Sequence, residues 1–150
     1  MSKLNSSGYT LIELLLTLSL LSILISLPLI SLPKLNEPTQ YEADLIAKQI
    51  HEQFLAAQQV AMSTGKRIYI RTDNDRKLFL IRYHALEDYM VIPYQFDNMY
   101  FETITLFPND VSYLANGHPS RSGSFFLVIG QYRYRFTIYL GKGMISYKRL

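Results

Sequence analysis

From Leu11 to Leu32 the chain reads LIELLLTLSLLSILISLPLISL, 22 residues with one charge, Glu13. No other stretch limits the fold as strongly. At about 1.5 Å per residue a helix of this length is about 33 Å long, close to a bilayer's hydrocarbon core. A helix packed on a soluble domain carries polar residues along one side. Here the polar positions are Thr17, Ser19, Ser22, Ser26 and Ser31, small side chains that bond back to helix carbonyls. The segment is expected to be a transmembrane helix. The amino terminus and Lys3 precede it, so the short leading segment is expected to stay in the cytoplasm and the remainder to be exported. Lys34, on the far side, counts weakly against that orientation.

Three kinds of anchor compete. A cleaved secretory signal has a shorter apolar region and a small-x-small cut site; Leu29-Ile30-Ser31 is a poor one. The chain has no cysteine, which excludes a lipid-modified cysteine along with disulfides, thiol catalysis and zinc-thiolate sites. A plain signal anchor leaves Glu13 unexplained. A carboxylate at mid-bilayer costs about 2.5–3.5 kcal/mol on insertion scales, less near the interface, and such residues usually have a partner and a role. A first-turn Glu favoured by the helix dipole is the plainer account.

Glu13 has a context. The stretch Gly8-Tyr9-Thr10-Leu11-Ile12-Glu13-Leu14-Leu15 resembles the class III signal of type IV pilins and pseudopilins. The match covers the short leader, Gly8, the aromatic Tyr9, Glu13 as fifth residue after the junction, and the long apolar run. The resemblance implies cleavage between Gly8 and Tyr9 by a prepilin peptidase, and methylation of the new amino group on Tyr9. It also implies that Glu13 acts in assembly, pairing with the terminal amine of a neighbouring subunit, neutralising a charge costly in lipid and setting register. Gly8, with no side chain, can lie extended in a protease cleft.

The 150 residues allow one domain plus an appendage. Pro28, Pro33 and Pro38 each break or bend a helix, and 33–38 is expected to be a hinge. Thr39 and Glu42 have capping-box spacing. Ala43, Ile46, Ala47, Ile50, Phe54, Ala57 and Ala61 repeat at steps of three and four, and Gly65 is a stop. This predicts an amphipathic helix packed on a sheet. Strands are predicted at 67–71 and 78–83 around an Asp73-Asn74-Asp75 turn, then at 89–94, 100–107, 124–129, 132–140 and 144–148, with a loop at 116–123 and a turn at Gly141-Lys142-Gly143. The expected architecture is α+β: leader 1–8, transmembrane and assembly helix 9–32, hinge 33–38, and a head over 39–150 with one helix on an antiparallel sheet. That layout is also pilin-like.

His51, His84 and His118 lie far apart with no ligand spacing, and Asp73 and Asp75 are explained by a turn. Ser120, Ser122 and Ser124 near His118 read as loop composition. No phosphate-binding glycine loop or nucleophile elbow occurs. No catalytic, metal or cofactor site is expected, and the chain is not expected to be an enzyme. No Lys or Arg lies between Arg82 and Arg121, where Glu87, Asp88, Asp97, Glu102 and Asp110 fall; no acid follows Asp110, while Arg121, Arg133, Arg135, Lys142, Lys148 and Arg149 do. Separate acidic and basic patches and simple solvated strand faces both fit this order. The run Tyr132-Arg133-Tyr134-Arg135-Phe136, with Lys148 and Arg149, interleaves aromatics and cations as a DNA-binding surface does. The same alternation is also that of a strand with Tyr134, Phe136 and Ile138 inward and Arg133, Arg135 and Thr137 in water.

Within the pilin-like proteins the chain is most similar to the minor pseudopilins of Gram-positive competence systems. That resemblance implies a structural and assembly role in a pilus for binding and uptake of external DNA. The implied partners are a major pseudopilin, other minor pseudopilins, the prepilin peptidase, the membrane, and indirectly the assembly ATPase and its platform. The implied location is the cell membrane as a single pass, then the cell surface. A minor pseudopilin of a secretion system and a membrane-anchored DNA receptor are the alternatives.

Overall fold

The computed structural model describes residues 10–30, 37–84, 87–141 and 144–150, in two compact units divided between Leu35 and Asn36. Gly8, Tyr9, Pro33, residues 34–36, Lys142 and Gly143 lie outside the described residues.

The first unit is helix α1, Leu11–Ile30. It begins with a capping box. The backbone N–H and hydroxyl of Thr10 both donate to Glu13 Oε2 at 3.0 Å, and the Glu13 N–H donates to Thr10 Oγ1 at 3.4 Å, so the helix's unpaired amides find local acceptors. Thr17 and Ser19 hydroxyls bond back to the carbonyls of Leu14 and Leu16, as expected for small polar residues in an apolar helix. Pro28 does not end the helix, which runs two residues past it; a proline removes one backbone bond and the turns on either side hold. Every described Leu and Ile from Leu11 to Ile25 is more than half exposed. Among the described residues, whose side chains in α1 extend to Ile25, no helix is long and apolar enough to cross a membrane.

The second unit is built on helix α2, Gln40–Thr64. Its capping box is complete: Thr39 N–H and hydroxyl donate to Glu42 Oε2 at 2.8 and 2.7 Å, and Glu42 N–H returns to Thr39 Oγ1 at 3.3 Å. Gly65 ends it in the left-handed conformation, φ 64°, which glycine adopts without a Cβ clash. The buried face is Ala43, Ile46, Ala47, Ile50, Phe54, Ala57 and Ala61, the seven residues that the periodicity marks.

This face lies on two antiparallel sheets. The first has strands β1 (Ile68–Asp73), β2 (Leu78–His84), β3 (Glu87–Pro93) and β5 (Ser112–Tyr113) in the order β3-β2-β1-β5. The second has β4 (Met99–Thr103), β6 (Gly123–Ile129), β7 (Tyr132–Ile138) and β8 (Ile145–Arg149) in the order β4-β6-β7-β8. Phe54 joins helix and sheets: its ring centroid is 5.4 Å from Phe79 of the first sheet and 5.7 and 6.1 Å from Phe125 and Phe136 of the second. The β1–β2 turn ties the sheets a second way. Asn74 Nδ2 donates to the Phe101 carbonyl at 2.9 Å and Oδ1 accepts the Phe101 N–H at 3.0 Å, a strand's pairing made by a side chain on the edge strand β4. The Asp73 carboxylate accepts the N–H groups of Asp75 and Arg76, the turn expected of those residues. At the far end Gly130 has φ +60°, and a Cβ there would sit 2.8 Å from Cγ of Pro38, just before the α2 cap.

The head differs from expectation in having two sheets in place of one. The strand predicted at 100–107 stops at Thr103. Beyond it the N–H groups of Thr105 and Leu106 both turn to the Ser124 carbonyl, Leu106 enters the core, and Pro108 opens a short 3₁₀ turn, Pro108–Asp110. Proline cannot donate to a ladder, so the chain leaves one sheet there and returns as β5 in the other.

Candidate functional site

Two groups of residues carry candidate chemistry. The first is the amino-terminal stretch. Gly8 and Tyr9 lie outside the described residues. Glu13 stands in the first turn of α1 with one carboxylate oxygen, Oε2, engaged by Thr10. The plainer account of Glu13, a first-turn carboxylate suited to the helix start, therefore has a local partner. Sequence reasoning missed Thr10, although Thr10-Leu11-Ile12-Glu13 repeats the spacing recognised at Thr39.

The second group is Arg133, Arg135, Lys148 and Arg149. The ladder register divides it. Tyr134 faces Arg149 across β7 and β8, and Arg135 faces Lys148. Directly opposed residues share a sheet face, and successive residues alternate. Tyr134 is buried against the helix side, so Arg149 lies on that inner face as well. There Asp44 of α2 accepts from Tyr134 Oη at 2.7 Å and pairs with Arg149 at 3.1 Å. Burial and the hydrogen bond to Asp44 push the Tyr134 phenol well above its ordinary value. Arg149 is thus a clamp between the last strand and α2.

Arg133, Arg135 and Lys148 are exposed on the outer face. One row across the sheet reads Glu102, Phe126, Arg135, Lys148. Arg133 pairs with Glu102. Both guanidiniums lie against the Phe126 ring, their Cζ atoms 4.5 and 5.6 Å from its centroid, a cation–π arrangement. Tyr134, Phe136 and Ile138 are buried at 1%, 0% and 2% exposure, so the strand alternation accounts for the aromatics of the run. Phe126 was not singled out in the sequence, because its place beside two arginines depends on register.

Ion pairs join the acid-rich and base-rich stretches of the chain in the fold. Arg121 pairs with Asp110 at 2.6 Å and Arg133 with Glu102, joining the acid-rich stretch to the base-rich one, while Arg82 pairs with Asp88 inside the former. The histidines are apart: His51 is held by the Ile145 carbonyl and Tyr147, His84 by Glu87, and His118 sits in a turn with its N–H on Asn116. Among the described residues no three or more His, Asp or Glu could hold a metal ion.

The model of the prokaryotic N-terminal methylation motif matches residues 3–27. The competence protein ComGD of Bacillus subtilis (strain 168) is 31% identical over 148 residues, which are 98% of this chain and 97% of that one. The minor pseudopilin EpsH from the type 2 secretion system of Vibrio cholerae shares the fold at a TM-score of 0.54 and 15% identity, over 72% of this chain and 97% of that one. Its likeness supports the helix-on-sheets architecture, and the relation to ComGD over nearly the whole length shows the family. The chain belongs to the family of the competence protein ComGD, with the prokaryotic N-terminal methylation motif at its start.

Proposed function

We propose that this minor pseudopilin is a structural and assembly subunit of a competence pilus that binds external DNA and serves its uptake. The end-to-end similarity to a competence protein carries the reading. The methylation motif over residues 3–27 supports the accompanying steps. The prepilin peptidase cuts after Gly8, the Tyr9 amine is methylated, and α1 waits in the membrane until the subunit joins a filament of major and minor pseudopilins. Leader 1–8, helix 9–32, hinge 33–38 and head 39–150 are the working divisions. The assembly ATPase and its platform act on the filament without touching this head.

An apolar helix whose described leucines and isoleucines are all more than half exposed supports the membrane step. Each such side chain left in water forgoes about 1.5–3 kcal/mol of burial, so lipid and then neighbouring helices are its natural surroundings. Within the filament the Glu13 carboxylate receives the Tyr9 amine of an adjacent subunit while Thr10 holds Oε2.

The test is uptake of labelled DNA by the native host after clean deletion of the gene, with wild type or a Gly8→Glu variant then supplied to the deleted strain. Loss on deletion, rescue by wild type and no rescue by the uncleaved variant are expected. Uptake that survives deletion while protein secretion falls would assign the subunit to a secretion pseudopilus.

A further inference from the structure

We infer that the outer face of the second sheet is a binding site for the phosphate backbone of DNA, formed by Arg135 and Lys148 with Arg133 beside them. The inference rests on the competence reading for its partner and on the ladder register for its residues.

Three observations single out this face. Arg135 and Lys148 are direct cross-strand neighbours, and like charges placed opposite each other destabilise a sheet. Among the described residues neither has a carboxylate within ion-pair distance, whereas Arg121, Arg133 and Arg149 each have one. An uncompensated pair of cations on an exposed sheet face is relieved by an anion from outside. Next, the guanidiniums are held in place. Arg133 and Arg135 both lie against Phe126, and an arginine already positioned loses less freedom when its planar fork meets a phosphate. Finally, the adjoining row carries hydroxyls: Ser124 lies opposite Thr137, and Thr137 opposite Ser146. Such groups commonly complete phosphate contacts.

The arrangement also fixes the mode of binding. Phe126 carries two guanidiniums and serves as their support, so it offers no platform for stacking a base. Contacts of this kind read no sequence. Binding is therefore insensitive to base sequence. With about two to three phosphates neutralised, affinity for duplex falls roughly 10- to 40-fold between about 50 and 200 mM salt. Arg149, although adjacent in sequence to Lys148, takes no part, because its side chain lies on the other face with Asp44.

The experiment uses the full-length chain in detergent micelles and the fluorescence anisotropy of a labelled short duplex and the matching single strand. Wild type is compared with Arg135→Glu/Lys148→Glu, with the milder Arg135→Gln/Lys148→Gln, and with Arg149→Gln, each checked for native circular dichroism. The expected result is at least a tenfold loss for the charge reversal, a smaller loss and a flatter salt dependence for the neutral pair, and no change for Arg149→Gln. Where the reversal fails to fold, the neutral pair decides.

Equal binding by wild type and the neutral pair overturns the inference. So does an equal loss in Arg149→Gln, or capture by phosphatidylglycerol vesicles with none of DNA. The uptake assay separates the two readings. Loss of uptake on deletion together with no DNA binding by wild type removes this site and leaves the pilus role. Residue-specific binding in a subunit whose deletion spares uptake does the reverse.

Discussion

Tyr113 and Tyr134 are both 1% exposed, yet their hydroxyls have opposite circumstances. Tyr134 Oη donates to Asp44 at 2.7 Å, while the Tyr113 hydroxyl has no hydrogen-bond partner among the described residues. A hydrogen bond to a charged acceptor is worth about 1.5–3 kcal/mol, and a buried polar group left alone costs about 1–3 kcal/mol. Tyr134→Phe should therefore lower stability by about 1–2 kcal/mol, Asp44 keeping Arg149 as a partner. Tyr113→Phe should leave stability unchanged or raise it, as read by urea unfolding of the full chain in detergent. Equal losses in both would show that packing alone decides. Arg149→Gln breaks a pair whose two side chains are 44% and 45% exposed, and its cost should stay below about 1 kcal/mol. Burial raises both phenols above the ordinary 10.0. The folded state then holds these protons more tightly than the unfolded one. Stability from this source is complete below pH 10 and declines as pH rises through the folded values.

At the scale of elements, the α2 cap gives a test in acid. Hydrogen bonds from the Thr39 backbone and hydroxyl hold the Glu42 carboxyl below its ordinary 4.5. Its depressed folded pKa means that the unfolded chain binds the proton first. The contribution is present above pH 4.5 and is lost as pH falls through the folded value. In Glu42→Gln that part of the acid slope should vanish while stability near neutrality changes little, because glutamine can also close a capping box. Urea midpoints of both proteins between neutral and acid pH give the comparison; parallel curves would place the acid sensitivity elsewhere. This helix was legible in the sequence from cap to stop, because cap, periodic face and glycine are local signals. The two-sheet split was not, because it depends on where Thr105 and Leu106 send their N–H groups and on the side-chain pairing of Asn74 with Phe101, both set by tertiary contacts. The same limit applied to the basic residues. Their alternation was visible, but only the register separates Arg135 and Lys148 from Arg149. The core does offer one change predictable from composition and place together. Phe54→Ala removes the ring that meets Phe79, Phe125 and Phe136 and should cost about 3–5 kcal/mol.

At the scale of the whole chain, a head with its own core is joined to a helix that exposes its described apolar side chains, and the proposed membrane and filament settings would cover that surface. Glu13 is where these requirements meet, and it has two separable duties. As a capping residue it accepts hydrogen bonds from Thr10, which glutamine can also do. As a charge it is proposed to receive a neighbour's terminal amine, which glutamine cannot do. Glu13→Gln therefore keeps the helix start and removes the charge. The expected outcome is normal cleavage after Gly8, seen as the mature mass in the membrane fraction, with the subunit missing from sheared filaments. Gly8→Glu should instead remain in the membrane at its full length with Lys3 still attached. If Glu13→Gln enters filaments at the wild-type level, the carboxylate serves the helix cap alone, and recruitment rests on the apolar surface of α1.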